Sequence, residues 1–372
     1  MRALFVAAPL VGHVLPLVPL AAAFRDAGHD VLVATAGDGV DAARKAGLPV
    51  HDVAPGMSMQ RAFLGTLLRH PVRLGRMMRG DEGTDGVGLM FAAVTERMAQ
   101  RTVALVDEWR PDLVLHEPLA GAGPLAAARA GAPAVLVDAN LFDPEKQVSA
   151  VTRNLGKLAR AHGLGPLAAP ADIVRTSPAS LVGERRGRPM RFVAGRGSGT
   201  VPDELTRPSS RPTLLVSRST VEDPRPDRLM TTVVDAAARA DVDVVLIRPD
   251  RAVSRRSLPP NARTTEWLPH AAVLPHVAGI VHHGGAGTLM TALAAGAPQI
   301  VVPGPGDRTV NARLVSERGA GMAVPLGELT AASLERLAGD PTLRTAAGEV
   351  AAEIAAMPPP ADLVEPLVAL AR

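Results

Sequence analysis

The stretch from Gly279 to Leu293 constrains the fold more than any other. It reads Gly-Ile-Val-His-His-Gly-Gly-Ala-Gly-Thr-Leu-Met-Thr-Ala-Leu. Ile280-Val281 is a short apolar strand. His282, His283, Gly284, Gly285 and Gly287 make the turn that follows, and Thr288 to Leu293 leaves as a helix. Glycines let a backbone come close to an oxyanion, and the first N–H groups and the dipole of a helix face it. The natural ligand of such a turn is a diphosphate. Any α/β protein can carry a glycine turn; the paired histidines and their flanks are what favour the anion site.

The rest of the chain repeats the same rhythm. Ala3 to Ala8 is a continuous apolar run, as in a parallel strand covered on both faces. A loop through Gly12 and His13 leads to a helix over Leu15 to Ala27, and Val31 to Ala34 is the next strand. Strands follow at 49–53, 112–116, 134–137, 172–175 and 190–193, with helices predicted over 89–109, 125–129 and 148–162. Residues 55–88 break the rhythm and read as short helices with a mobile loop; their methionines could line an apolar pocket. Residues 195–212, rich in glycine, proline and serine, read as a linker. Strands are then predicted at 213–216, 242–247, 280–281, 299–302 and 321–324, alternating with helices.

The fold class is therefore α/β, with two Rossmann-like, doubly wound parallel-sheet domains facing a cleft. The expected division is 1–194, a linker at 195–212, 213–357, and a C-terminal helix at 358–372 that packs back on the first domain. In open α/β sheets ligands bind at the carboxyl edge, which places the Gly12-His13 loop at a site.

Composition narrows the function. The 372 residues hold 40 Lys+Arg against 37 Asp+Glu, and no basic block is interleaved with aromatics, so nucleic acid is not an expected partner. Without cysteine there is no disulfide framework, thiolate metal site or cysteine nucleophile. Pro9, Gly12 and His13 interrupt the apolar N-terminus, which is read as a buried strand rather than a signal peptide, in a cytoplasmic protein with no membrane partner. Asp241-Val-Asp243 leads straight into a strand and is no metal clamp, and the histidines show no ligand spacing, so no metal or other cofactor is expected. No Gly-x-Ser-x-Gly elbow or phosphate-loop lysine is present, and the 195–200 glycines miss the dinucleotide fingerprint.

Three motifs taken together resemble one family: Glu266-Trp-Leu-Pro-His270, His282 to Thr288, and Gly306-Asp-Arg-Thr-Val-Asn-Ala312 followed by Gly319-Ala-Gly321. They are similar to the donor signature of inverting nucleotide-sugar glycosyltransferases of the GT-B fold, nearest the actinobacterial enzymes that decorate polyketide antibiotics. Ser177-Pro-Ala-Ser180, Pro189 to Val193 and Gly12-His13 with Pro16 resemble other segments of the same group.

The resemblance implies roles. Trp267 would stack on the nucleobase, with the Leu268 backbone at its edge. His282, the N–H groups of Gly285, Ala286 and Gly287, and the Thr288 hydroxyl would hold the diphosphate, while His283 packs. Asp307 would accept hydrogen bonds from the sugar, beside Arg308 where the family usually has Gln. Ser217, Ser219 and Thr220 would form a small-residue turn against the donor, Ser219 standing where a glycine is expected. Met290 takes the place of a Glu that binds ribose in uridine-nucleotide relatives, which favours a thymidine diphosphate sugar. His13 would be the base that deprotonates the acceptor, with Glu117 in place of the usual Asp as its partner. Asp138 is a second acceptor-side carboxylate, a candidate base if carbon attacks. Met57, Phe63, Met77, Met78 and Phe142 are candidate acceptor contacts.

The implied activity is transfer of a deoxyhexose from a thymidine diphosphate sugar to a hydrophobic natural-product acceptor, as an O- or C-glycoside. The alternative is a catalytically weak homologue that assists another transferase. A homodimer is the oligomer considered.

Overall fold

The computed structural model describes residues 1–78, 84–195, 200–207, 209–219 and 228–372, and of Met78 the backbone alone. The chain divides into two units. The first comprises Met1–Ser177, Arg185–Arg191 and Met357–Arg372; the second comprises Pro178–Glu184 and Phe192–Ala356. The 178–184 segment, expected in the first domain, belongs to the second. So does the expected linker, where Asp203–Thr206 is a helical turn whose Leu205 is buried beside Leu215.

The first unit holds seven parallel strands: β1 (Arg2–Val6), β2 (Asp30–Thr35), β3 (Val50–Asp52), β4 (Leu113–His116), β5 (Ala134–Asp138), β6 (Asp172–Arg175) and β7 (Arg188–Pro189), in the order β3-β2-β1-β4-β5-β6-β7. Leu4 lies opposite Leu32 on one side and Val114 on the other. Because side chains alternate, Ala3 and Phe5 pack with Leu20 and Phe24 of the Val18–Asp26 helix, and Leu4 and Val6 pack with Val94 and Met98 of the Asp85–Trp109 helix. Both faces are covered, which is why the strands read as unbroken apolar runs.

Three elements depart from the sequence reading. The strand expected at 190–193 forms one step earlier, as β7. The 148–162 helix is two helices, Pro144–Thr152 and Gly156–Ala161, and the 15–27 helix is Leu15–Leu17 followed by Val18–Asp26, with Pro16 and Pro19 in their first turns and a helical turn, Val11–Val14, in the expected loop.

The second unit holds six parallel strands: β8 (Thr213–Ser217), β9 (Asp243–Ile247), β10 (Ala262–Thr265), β11 (Gly279–His282), β12 (Gln299–Val301) and β13 (Gly321–Ala323), in the order β10-β9-β8-β11-β12-β13. Leu214, Val216, Val244 and Val281 face the Leu229–Ala237 helix; Leu215, Val245 and Ile280 face Val273, Leu274 and Ala292.

Each sheet reverses its winding once, between β1 and β4 in the first and between β8 and β11 in the second. Loops diverge there and leave a crevice at the strands' carboxyl ends. Among the described residues no single helix is long and apolar enough to cross a membrane.

Candidate active site

The first crevice holds His13 and Glu117. His13 lies in the short Val11–Val14 helix after β1, and Glu117 follows β4 directly. His13 Nδ1 is 3.1 Å from Glu117 Oε2. The Ala8 N–H donates to Glu117 Oε1 at 3.0 Å and the Leu119 N–H to Oε2 at 2.8 Å. Burial pushes the Glu117 carboxyl up, but the His13 charge and hydrogen bond and the two N–H groups outweigh it, so it stays below the usual carboxylate range. The His13 ring packs against Phe91, 5.5 Å between centroids. A carboxylate on Nδ1 fixes the proton there and makes Nε2 the basic nitrogen, the arrangement a general base needs. His116 is buried with Nδ1 beside the Glu117 carbonyl, and burial lowers its pKa.

Asp138, at the end of β5, does not open onto this crevice. It is fully buried; Oδ1 accepts from the Asn140 N–H at 3.2 Å and Oδ2 has no partner among the described residues. Burial raises its pKa to about 7 against the opposing Asn140 N–H and the Arg185 charge. Read as an alternative base, Asp138 is enclosed here, whereas His13 is half-buried.

The acceptor candidates scatter. Met77 is buried against Gly86 of the Asp85–Trp109 helix and is packing, not lining. Met57, Phe63 and Phe142 are half-buried, and Phe142 is tied through its main chain to Asn140 and Arg185. The Met78 side chain lies outside the described residues. Among the described residues of the Met59–Arg69 and Pro71–Met78 helices, the exposed large apolar side chains are Leu64, Leu68 and Val72, at 55%, 77% and 72%.

In the second unit the turn after β11 delivers an open helix start. Gly285 caps Ala286–Ala294 with no side-chain cap, and the first turn carries no acidic residue. Gly285 to Thr288 are all at least partly exposed, and a Cβ on Gly287 would meet nothing within 4 Å. Among the described residues nothing caps these N–H groups or offsets the dipole, as an anion site requires. Gly284 has φ +83°, and a Cβ there would press on Val301 and Arg308 at 3.1 and 3.2 Å. Only glycine fits both limits.

His282 sits behind this turn. It is fully buried; its Nδ1 accepts from the Gly284 N–H at 3.0 Å, and its Nε2 donates to Gln299 Oε1 at 2.7 Å. Both ring nitrogens, expected to serve a diphosphate, are engaged within the protein, and the ring shapes the turn. Burial lowers its pKa to about 4, so the ring is neutral. His283, read as packing, is half-buried with its Nε2 against Gly285, and burial and the Arg308 charge lower its pKa to about 3.

Asp307 and Arg308 open the Arg308–Glu317 helix, Asp307 as its cap residue. Ser217 is buried and Ser219 half-buried at the end of β8; Thr220 lies outside the described residues. Trp267 keeps 45% of its surface exposed. Leu268 is buried, with its backbone bonded to the His270 ring. Met290 is buried in the core, so it presents no surface to a ribose.

Two residues escaped the sequence reading. Asn311, fully buried, donates through Nδ2 to the Gly284 carbonyl and to Asp307 Oδ2, both at 2.9 Å, tying the glycine turn to the Asp307 carboxylate. Gln299 orients His282 from inside an apolar strand. Amides flanked by apolar residues, Ile300 after one and Val310 and Ala312 around the other, were the available signal.

Known proteins fit this arrangement. The chain matches the family described as erythromycin biosynthesis protein CIII-like, its N-terminal domain over residues 22–218 and its C-terminal domain over 231–370. It is 32% identical to the elloramycin glycosyltransferase ElmGT of Streptomyces olivaceus, over 98% of this chain and 96% of that one. It superposes on the glycosyltransferase SnogD of Streptomyces nogalater with a TM-score of 0.83 at 34% identity, covering 100% of this chain and 99% of that one. It also superposes on a Streptomyces sp. SF2575 glycosyltransferase solved with thymidine diphosphate, with a TM-score of 0.82 at 29% identity and 99% of each chain covered. A parallel-sheet pair with these two crevices, matched over nearly its whole length, belongs to the erythromycin biosynthesis protein CIII-like family of glycosyltransferases.

Proposed function

We propose that this protein transfers a deoxysugar from a thymidine diphosphate sugar to a hydroxyl of an apolar natural-product acceptor, with inversion at the anomeric carbon and no bound metal. The observation that carries the reading is the His13–Glu117 pair at 3.1 Å, seated in the first sheet's crevice. His13 takes the acceptor proton on Nε2 as the acceptor oxygen attacks the anomeric carbon, and Glu117 stabilises the imidazolium that forms. The bond from that carbon to the diphosphate oxygen breaks, and its electron pair leaves with the diphosphate. The N–H groups at Gly285, Ala286 and Gly287 and the Thr288 hydroxyl meet the charge that grows there.

The thymidine choice is supported by the thymidine diphosphate bound in a solved relative. A natural-product acceptor is supported by the elloramycin transferase, and an apolar one by the exposed Leu64, Leu68 and Val72. Buried Met290 gives the nucleotide choice no direct contact, so binding must test it. Calorimetry should find tighter binding of thymidine diphosphate than of uridine diphosphate. Preference for uridine diphosphate overturns the nucleotide choice; binding of neither overturns the donor reading. Product anomeric configuration by NMR, opposite to the donor's, tests inversion.

A further inference from the structure

Among the described residues two that are not glycine have positive φ. Arg110, at φ +50°, closes the C-terminus of the Asp85–Trp109 helix, where left-handed backbone is ordinary. Arg248, at φ +55°, ends the buried strand β9, where nothing of that kind calls for it. Its backbone is clamped on both sides: its N–H donates to the Thr265 carbonyl at 2.8 Å, and its carbonyl accepts from Arg218 Nε at 2.9 Å. Its guanidinium lies over the Trp267 ring, 5.6 Å from the centroid. Trp267 is largely exposed and stands two residues beyond the end of β10. Uncommon backbone held in place by its neighbours, aiming a planar cation at an exposed indole, is the mark of a functional position.

We propose that Arg248 recognises the nucleotide together with Trp267, the guanidinium and the indole acting as one unit on the pyrimidine base. This rests on the donor being a nucleoside diphosphate sugar. A guanidinium is flat, stacks as an aromatic ring does, and has N–H donors that one carbonyl oxygen of a pyrimidine can accept from. Arg218 takes part indirectly, as a positioning residue that fixes the Arg248 backbone. The proposal therefore assigns the base pocket a residue from the end of β9, outside the three sequence motifs.

The test is titration of the full chain with thymidine diphosphate and with thymidine alone, by calorimetry and by Trp267 fluorescence. Arg248→Gly keeps the left-handed backbone accessible, so it folds, and its thermal midpoint should equal or exceed that of wild type. Its affinity for both ligands should fall between about threefold and thirtyfold. Arg248→Lys, which keeps charge but loses the plane, should fall in between. In a Trp267→Leu background, Arg248→Gly should add little. Unchanged thymidine affinity in Arg248→Gly overturns the proposal, even if thymidine diphosphate weakens, because the arginine would then be serving the phosphates. Wild-type protein that binds neither ligand overturns the donor reading and this inference with it.

Discussion

In the proposed reaction His13 and Glu117 divide one task between two residues that are distant in sequence. His13→Ala should lower kcat by roughly 10²–10⁴-fold while thymidine diphosphate affinity stays unchanged, because the base meets the acceptor and not the donor. Steady-state kinetics beside calorimetry checks this, and an equal loss of donor affinity would contradict it. Glu117→Gln should lower kcat more than it raises KM. Buried titratable groups also set opposite pH slopes in the two units. Asp138 has its folded pKa raised to about 7 from 3.8, so the folded state holds the proton longer. Its stabilisation is complete below about pH 4 and is lost as pH rises towards 7, by up to about 4 kcal/mol. The Arg185 charge opposes the rise and the Asp143 charge adds to it, and Asp138→Asn should flatten the slope. His282 and His283 have folded pKa values lowered to about 4 and about 3, so the second unit loses stability as pH falls from 6.5. The two tryptophans report separately, Trp109 from the first unit and Trp267 from the second. Urea unfolding of Trp109→Phe and Trp267→Phe across pH should resolve the two slopes.

The Ala286–Ala294 helix begins in an open N-terminus, where the proposed function places the diphosphate. Its first turn has no acidic residue and no side-chain cap, so the dipole is uncompensated. Gly287→Asp would place a carboxylate in the open space there. Melting should be unchanged or raised by about 0.5 kcal/mol, while thymidine diphosphate binding drops by more than tenfold. Lower stability with intact binding would contradict the anion-site reading. Asn311 joins this turn to the Arg308–Glu317 helix, and Asn311→Ala leaves the Gly284 carbonyl without that donor. The second unit should lose about 2 kcal/mol, read from Trp267 during urea unfolding. The turn was legible in the sequence because glycine spacing and a following apolar helix are local signals. The inward His282 was not legible. Whether a histidine at a strand end points to solvent or to the core depends on β12, which supplies Gln299 from 17 residues away. The same limit applies to Met77: an adaptable methionine suits a pocket or a core alike, and here it is buried against Gly86.

At the scale of the molecule, the C-terminal segment belongs to the first unit although it follows the whole of the second. Leu363, Val364, Leu367 and Val368 are buried in the core formed by Phe5, Leu20 and Phe24, and the Arg191 N–H donates to the Pro358 carbonyl at 2.7 Å. Deleting residues 358–372 should remove about 6–12 kcal/mol of burial, comparable to the whole stability of a domain. Trp109 fluorescence should then report an unfolded first unit, while Trp267 still melts cooperatively. The sequence by itself determined the α/β class, most strand positions, the glycine turn and the identity of His13 and Glu117 as a candidate pair. Those features rest on local periodicity, on turn chemistry, or on a resemblance carried by short motifs. The tertiary structure alone decided which polar groups face the crevices. It buried Asp138 and His282, left Trp267 exposed beneath Arg248, and joined Asn311 to Gly284 and Asp307. The physical reason is that strand order, not chain order, sets neighbours in a parallel sheet. Residues about 100 apart meet at a switch point, and burial and hydrogen-bond partners are properties of that meeting.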